Sequence, residues 1–334
     1  MNSPRARTSG LRGVIARYLA LKTSLGRRYA AERRVLELLE AFLHADGGRT
    51  ADLTLDRFFR WTQTLQHLMP TVRRNRLRIV RNLCLYRRRS EPDCFVPDQG
   101  GFPAPHQVRA PHIFTPDEIA RLIRATHRLA ATRESPLRAQ VFRLALVLLY
   151  TSGLRRGELL RLTVGDYDPH DRVLLIRASK FHKSRSIPLS PDAGREIERY
   201  LRARRHHRLP MAAATPLVAH GTTTLRPYTG VGFGDTVRRL LRETGIVTAT
   251  GRPPRIHDIR HGFAVNALLR WYRQGIDVQT KLPLLATYMG HVSIVSTSYY
   301  LAFVEPLRTA ASARFARHYG ALVGAHTPAP ETRS

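Results

Sequence analysis

Length, composition and charge set the first limits on this protein. The chain has 334 residues, more than one typical domain, and its 43% hydrophobic content is enough for more than one core. It carries 55 Lys and Arg against 25 Asp and Glu, a formal net charge of +30, and this excess predicts a polyanionic partner, nucleic acid above all. Because Cys84 and Cys94 are the only cysteines, a disulfide framework and a cysteine-based zinc site are excluded.

The sequence also lacks the patterns of membrane and secreted proteins. No apolar run approaches the roughly 18 residues needed to cross a bilayer. The basic N-terminal segment, residues 1–12, has no apolar stretch of the kind found in signal peptides. We therefore expect a cytoplasmic protein without a membrane partner.

Residues 11–90 are predicted to be helical. Apolar side chains recur at spacings of three and four over 10–27 and 30–44, and Thr54 is a candidate N-cap for a helix over 55–68. A fourth predicted helix, 71–89, combines an apolar stripe with eight arginines, which repel one another at such spacing unless an anion lies nearby. We predict DNA contacts by Arg73, Arg74, Arg76, Arg78, Arg81, Arg87 and Arg88, with a merely solvated helix face as the alternative.

A proline- and glycine-rich stretch then separates two predicted domains. The clustered Pro and Gly residues of 93–112 exclude regular structure, so we interpret this stretch as a linker. Thr115 to Glu118 follows with an N-cap, a first-turn proline and acidic residues, which start a new helix. The predicted boundaries are a helical domain over 1–92, a second domain over 113–305 and a C-terminal tail over 306–334.

The second domain is predicted to be mainly α with a small antiparallel β-sheet. A buried helix over 137–150 precedes a β-hairpin formed by 172–177 and 185–189. Further helices are predicted at 191–205, 235–243, 258–272, 282–289 and 296–303.

Two segments near the start of this domain contain candidate phosphate-binding cations. A buried helix ends at Gly153, and Arg155 follows at the start of the next turn, where a planar guanidinium can bind a phosphate. Glu158, three residues on, is placed to orient Arg155; an ordinary surface ion pair is the alternative. Lys180 lies in the hairpin loop, where it is either solvated or able to donate a proton to a leaving oxygen. Lys183 and Arg185 lie close to it in sequence.

Two later segments contain candidate histidines and a tyrosine. His257 and Arg260 are three residues apart and share a helix face, while His257 and His261 have the spacing of zinc ligands. The glutamate that a zinc protease places after its first histidine is absent, so we predict no metal. His291 follows a glycine that is typical of a helix end, and Tyr300 comes nine residues later, directly after Tyr299.

Taken in order, Arg, Lys, His-x-x-Arg, Gly-His and Tyr resemble the catalytic signature of the tyrosine recombinase (phage integrase) family. The Gly-Leu-Arg-x-x-Glu-Leu box, the His-x-x-Arg-His box and the Gly-His to Tyr spacing match over residues 113–303, and the basic N-terminal region resembles that family's core-binding domain. The resemblance implies the DNA breaking-rejoining enzyme fold. It assigns catalytic roles to Arg155, Lys180, His257, Arg260, His291 and the nucleophile Tyr300, with Glu158 as a supporting residue.

The resemblance also implies a mechanism and an assembly. Tyr300 attacks the scissile phosphate of double-stranded DNA, forms a 3′-phosphotyrosine and releases a 5′-hydroxyl, without metal, ATP or any cofactor. His257 accepts the phenol proton, and Lys180 protonates the leaving oxygen. Members of the family act as DNA-bound tetramers, in some cases with related recombinases. The tail over 306–334 is accordingly a candidate for packing on a neighbouring subunit, with intramolecular capping as the alternative.

Three other functions remain as alternatives at this stage. A type IB topoisomerase shares the phosphotyrosine chemistry, a DNA-binding regulator could have lost catalysis, and a zinc nuclease could be built on His257 and His261. The bulk arginine content favours an integrase encoded by a transposon or similar element over the phage and chromosomal roles that use the same chemistry.

Overall fold

The computed structural model describes residues 11–27, 29–47, 51–104, 110–177 and 184–291. It divides into two compact units, Met1–Arg109 and Ala110–Ser334. None of the helices in the described ranges is both long and apolar enough to span a bilayer. The architecture is mainly helical with small antiparallel sheets, as predicted.

The first unit is built from four helices around one apolar core. They are α1 (Leu11–Ser24), α2 (Ala30–Gly47), α3 (Leu55–Gln63) and α4 (Pro70–Arg87). α2 packs against α4, where Leu36, Leu39, Val80 and Leu83 have no exposed surface. Their spacing of three places each pair on one helix face, so the apolar stripe predicted for the fourth helix is the face that enters the core.

Local signals explain how the third and fourth helices begin. The Thr54 hydroxyl accepts a hydrogen bond from the Arg57 amide at 3.3 Å, which confirms the predicted N-cap. α3 ends at Gln63, five residues before the predicted end, and Pro70 starts α4 at its first turn instead of closing the preceding helix.

The segment predicted as the linker contributes to the first unit. Phe95 and Phe102 pack against the core of the four helices, and Phe102 is buried. Residues 91–104 contain turns and bends but no helix or strand. The first unit therefore extends past residue 92, because two aromatic side chains of the irregular segment complete its core.

The second unit contains seven α-helices and five short strands within the described residues. The helices are α5 (Pro116–Ala125), α6 (Arg138–Ser152), α7 (Arg156–Leu159), α8 (Pro191–His206), α9 (Gly230–Glu243), α10 (Ile256–Arg273) and α11 (Val278–Met289). The strands are β1 (Tyr167–Asp168), β2 (Val173–Ile176), β3 (Arg185–Pro188), β4 (Ala219–His220) and β5 (Arg226–Pro227). Helix α6 is central, because α5, α8 and α10 all pack against it.

The sheet of this unit has three antiparallel strands in the order β1-β2-β3. In the predicted hairpin, Leu174 pairs with Ile187 and Ile176 pairs with Arg185. Leu174, Ile176 and Ile187 are buried, so one face of the hairpin joins the core. A second sheet, β4-β5, has two strands in a stretch where the sequence predicts no strand.

Helix α11 is fixed to α10 by a smaller apolar cluster. Val265 and Leu268 of α10 pack with Leu282, Leu285 and Met289 of α11. Two helices begin earlier than predicted. α11 begins at Val278 instead of residue 282, because Asp277 caps it there. α9 begins at Gly230 instead of residue 235, because Thr229 caps a glycine-rich first turn. The predicted helix over 296–303 lies outside the described residues.

Candidate active site

The first part of the site is the junction between α6 and α7. Gly153 ends α6 with a φ of +58°, a left-handed conformation that favours glycine, and the ring of Phe263 fills the space that a Cβ would need. Arg155 is the N-cap residue of α7, and its amide donates a 3.0 Å hydrogen bond to Glu158. The turn therefore places both the amide and the side chain of Arg155 within hydrogen-bond distance of Glu158 in the helix that follows.

Glu158 is the anionic centre of this part of the site. Its side chain is 2% exposed and bonds to Arg155 at 2.8 Å and to Arg185 at 3.0 Å and 3.2 Å. Burial by itself raises the pKa of this carboxyl, but hydrogen bonds from Arg185 and the Arg155 amide, with the charges of both arginines, outweigh it and lower the pKa to about 2. Glu158 is thus a carboxylate at neutral pH and holds two guanidinium groups together.

Arg260 occupies the interior between two helix ends. It lies in the second turn of α10, and the residue is 1% exposed. Its Nη1 donates to the carbonyl of Gly153 at the end of α6, and its Nη2 donates to the carbonyl of Met289 at 2.7 Å. A cation is stabilised there because the carbonyl ends of helices carry partial negative charge.

The C-terminus of α11 collects three arginines from three different elements. The carbonyls of Tyr288, Met289 and Gly290 are consecutive along the chain. They accept hydrogen bonds from Arg185 at 2.8 Å, Arg260 at 2.7 Å and Arg155 at 2.8 Å, respectively. These carbonyls are ones that a helix end leaves without intrahelical donors. The three positive charges are therefore gathered directly beside His291, the next residue.

Two features favour glycine at position 290. Its φ is +66°, and a Cβ at this position would lie 2.7 Å from Nη1 of Arg185 and 2.9 Å from its Cζ. The guanidinium of Arg185 thus lies against the Cα of Gly290 while Arg155 bonds to its carbonyl. The predicted helix-end glycine is confirmed, and the structure adds the close approach of Arg185.

The histidines of the site are held in their neutral form. Desolvation and the charges of Arg260 and Arg155 lower the pKa of His291 to about 4. Desolvation and the charge of Arg260 also lower the pKa of His257, although this residue keeps contact with solvent. Desolvation and the neighbouring His257 lower the pKa of His261 to about 4. The rings of His257 and His261 meet edge to face with centroids 4.8 Å apart.

The structure therefore brings together five of the seven residues that the sequence singles out for chemistry, and two are not described. Arg155, Glu158, His257, Arg260 and His291 interact electrostatically in one place. Lys180 and Tyr300 lie outside the described residues, as do Lys183 and Tyr299. Across the described part of the chain, no group of three His, Cys, Asp or Glu side chains is arranged to hold a metal ion.

Arg185 is the site residue that sequence reasoning missed. The sequence marks it only as a neighbour of Lys180, yet its guanidinium binds Glu158 and the end of α11. A usable signal was present: along a strand, residues two apart share a face, so Arg185 lies on the same face as the buried Ile187. A charge on the buried face of a strand predicts a buried partner.

The arginines of α4, in the other unit, divide into two groups. Arg87 is buried and bonds to Asp52 at 2.9 Å and to Glu91 at 2.8 Å, while Arg74 and Arg81 donate to the carbonyls of Pro103 and Pro97 at 2.5 Å and 3.1 Å. These three hold the irregular 91–103 segment on the helix. The other predicted DNA contacts are the half-buried Arg73 and Arg76 and the exposed Arg78 and Arg88.

Comparisons with a family model and with known proteins point to the same family. The model of the phage integrase family matches residues 112–305. A Sinorhizobium fredii protein described as an integrase/recombinase, y4rB, is 32% identical over 314 residues, which are 93% of this chain and 98% of that protein. The tyrosine recombinase XerA of Pyrococcus horikoshii is 27% identical over 190 residues, 57% of this chain and 56% of that protein.

A solved structure supports the same fold. The integrase of transposon Tn1549, in a complex with transposon right end DNA, superposes with a TM-score of 0.61, covering 92% of this chain and 99% of that one at 18% identity. The family match spans more than half of the chain, and y4rB is similar over nearly its whole length. The chain belongs to the phage integrase family of tyrosine recombinases.

Proposed function

We propose that this protein is a site-specific DNA strand transferase that cleaves and rejoins duplex DNA through a covalent 3′-phosphotyrosine on Tyr300. The observation that carries the proposal is the anchoring of Arg155, Arg260 and Arg185 on three consecutive carbonyls next to His291. Such a concentration of positive charge is stable in the absence of ligand only because helix ends and Glu158 oppose it. It is suited to a phosphate that gains negative charge during reaction.

Arg155 is the arginine that we expect to touch the phosphate. Its side chain is 27% exposed, and the hydrogen bonds described for it use one Nη1 and one Nη2 proton of the five N–H protons that a guanidinium carries. The remaining donors can bind non-bridging oxygens. Arg260 is almost fully buried and stabilises the negative charge of the phosphate from the protein interior, where the low dielectric strengthens its effect.

The neutral histidines fit two different tasks. A neutral His257 can accept the proton of the attacking phenol, which a protonated imidazole cannot do. His291 can donate one N–H to a phosphate oxygen, and the arrival of that anion would raise the pKa of His291 and strengthen the bond. The lowered pKa of His257 keeps its imidazole neutral for the first task, while the second task is open to His291 in either protonation state.

The chemical step balances without an external energy source. The Tyr300 oxygen forms a bond to phosphorus, the bond from phosphorus to the 5′-oxygen breaks, His257 takes the phenol proton and Lys180 gives a proton to the 5′-oxygen. A phenol with a pKa near 10 is ionised about once in a thousand molecules at pH 7, so its deprotonation costs about 4 kcal/mol without a base. The phosphodiester is conserved in the phosphotyrosine, so the reverse attack rejoins DNA without ATP or a metal.

Duplex DNA is the proposed substrate, and a mobile element the proposed context. The formal charge of +30 supports a polyanionic substrate. The Tn1549 integrase of similar fold was solved with transposon DNA, which supports the choice of DNA and of an element-encoded role. We further propose that the active form is a homotetramer on DNA, to which the tail over 306–334 contributes subunit contacts.

The first test is formation of the covalent adduct. The protein is incubated in EDTA with duplex DNA of its recombination site, nicked near the cleavage point so that the 5′-hydroxyl fragment is lost and rejoining is blocked. We expect a DNA-linked protein band from the wild-type chain and from Tyr299→Phe, and none from Tyr300→Phe. An adduct with Tyr300→Phe but not with Tyr299→Phe would move the nucleophile by one residue. No adduct from any of the three would exclude the proposed chemistry.

A further inference from the structure

Arg185 lies where a strand residue with a charge is least expected. It is the first residue of β3, it pairs with the buried Ile176 of β2, and its side chain is 11% exposed. A guanidinium in such a position is stable only if its hydrogen bonds and its charge are satisfied inside the protein.

Its contacts reach two other elements. Nη1 and Nη2 donate to the two carboxylate oxygens of Glu158 at 3.2 Å and 3.0 Å, and Nε donates to the carbonyl of Tyr288 at 2.8 Å. The planar fork of arginine allows these three bonds at once, whereas a lysine ammonium has no such fixed geometry. One side chain therefore connects β3, the short helix α7 and the end of α11.

These contacts determine where Arg155 lies. Glu158 accepts from both Arg155 and Arg185, and Arg155 also bonds to the carbonyl of Gly290. If Arg185 is lost, Glu158 retains Arg155 as its main partner and draws the guanidinium towards itself. The carbonyl of Tyr288 loses its donor in the same change, which loosens the turn that precedes His291.

We infer that Arg185 is a positioning residue of the recombinase reaction, which sets Arg155 and His291 relative to the scissile phosphate through Glu158 and the C-terminus of α11. The inference rests on the proposed strand-transfer function and adds a residue to it. Arg185 acts through Arg155 and does not replace any of the groups that touch DNA.

The variants are chosen with a matched control. Arg185→Gln removes the charge and the fork. Arg177→Gln is the control, because Arg177 lies at the other end of the same hairpin loop and bonds to Asp166 at 2.5 Å instead of Glu158. We expect both variants to bind a half-site within about 3-fold of wild type, since neither arginine is among the residues proposed to contact DNA and only one of many positive charges is lost. We expect Arg185→Gln to lower the rate of adduct formation by about 10²-fold, the effect of a misplaced catalytic group, and Arg177→Gln to leave it unchanged.

A modified substrate distinguishes positioning from simple loss of structure. If a methyl group replaces one non-bridging oxygen of the scissile phosphate, the negative charge that Arg155 neutralises is removed. On this neutral substrate, Arg185→Gln should form the adduct at nearly the rate of the Arg177→Gln control. Arg155→Ala should likewise lose less rate on the neutral substrate than on the charged one. An equal loss on the charged and the neutral substrate would overturn the inference, because a folding defect acts on both alike.

Two further variants test the route through Glu158. In a Glu158→Gln background, adding Arg185→Gln should lower the rate by less than it does in the wild-type chain, because only the contact with the carbonyl of Tyr288 is then left to lose. Arg185→Lys retains the charge without the fork and should regain only a small part of the lost rate. Additive losses in the double variant, or full activity of Arg185→Lys, would each contradict the proposed route.

The experiments distinguish failure of this inference from failure of the proposed function. If the wild-type chain forms no adduct, the strand-transfer proposal fails before Arg185 is examined. If it forms the adduct and Arg185→Gln matches Arg177→Gln in rate, only the role of Arg185 is refuted. Thermal melting of each variant shows whether a lost activity reflects a lost fold.

Discussion

Single glycines and arginines determine the geometry of the site at the residue scale. Gly290 has a left-handed backbone and is also in contact with the Arg185 guanidinium, so two separate constraints apply to one position. The sequence predicts the first constraint, because glycine commonly follows the last residue of a helix. The second depends on a residue 105 positions away in the chain and could not be predicted from local sequence.

The two constraints on Gly290 can be separated by comparison with Gly275. Gly275 also has a positive φ, +75°, but no atom lies within 4 Å of a Cβ built there. We expect Ala at either position to lower the free energy of unfolding by about 1–2 kcal/mol through backbone strain. Only Gly290→Ala should also slow adduct formation, because its methyl group displaces Arg185. Equal activity of the two variants would show that Arg185 can move without consequence.

Two half-buried histidines make the stability of the protein depend on pH. The pKa values of His261 and His291 are lowered from 6.5 to about 4 in the folded chain. Between pH 6.5 and 4 the unfolded chain therefore binds more protons than the folded one, and stability falls as the pH is lowered through this range. We expect a loss on the order of 1 kcal/mol per histidine, measured by urea unfolding at pH 7.0, 5.5 and 4.5.

A variant serves as the control for this pH dependence. His291→Asn cannot titrate, so its loss of stability between pH 7.0 and 4.5 should be smaller than that of the wild-type chain. A pH dependence that is unchanged by this substitution would mean that His291 is not desolvated as the structure indicates.

Helix α4 illustrates the element scale, since its arginines perform two functions that the sequence does not distinguish. The sequence places eight arginines on the helix predicted over 71–89, but only tertiary contacts reveal that Arg74, Arg81 and Arg87 hold the segment that follows. We propose that Arg76, Arg78 and Arg88 contact the DNA backbone, whereas the buried Arg87 bonds to Asp52 and Glu91 within its own unit and is not expected to contact DNA.

Salt dependence of DNA binding separates the two groups of arginines. We expect Arg78→Ala or Arg88→Ala to reduce the slope of the logarithm of the DNA association constant against the logarithm of the salt concentration by about 0.9, the contribution of one phosphate contact. Neither substitution should change the thermal stability. Arg87→Ala should instead lower the free energy of unfolding by about 1–3 kcal/mol, because two carboxylates lose their donor. The assignment fails if Arg87→Ala reduces the salt slope while its melting temperature stays at the wild-type value.

Secondary structure was predictable where local signals were strong. The capping box formed by Thr115 and Glu118 and the N-cap Thr54 are present as predicted. The helix predicted over 235–243 starts at Gly230 in the structure, because Thr229 caps a glycine-rich first turn whose residues have weak helix propensity. The β4-β5 pair was missed because strands of two residues have no periodicity to detect.

On the scale of the whole molecule, the order of the motifs along the chain indicated the function better than any single motif. The boxes at Arg155, His257 and His291 are each unremarkable alone, but their order and spacing indicated the family that the comparisons support. Composition predicted a polyanionic partner through the excess of basic residues. The meeting of three arginines at the end of α11 could not be predicted, since it requires β3, α7 and α10 to converge on one helix terminus.

The proposed strand transfer depends most on which atom becomes linked to DNA. The decisive measurement is proteolysis of the adduct formed in EDTA, followed by fragmentation mass spectrometry of the nucleotide-bearing peptide. We expect a 3′-phosphate ester on the phenol oxygen of Tyr300. A nucleotide on Tyr299, on any other side chain, or joined through a 5′-phosphate would contradict it.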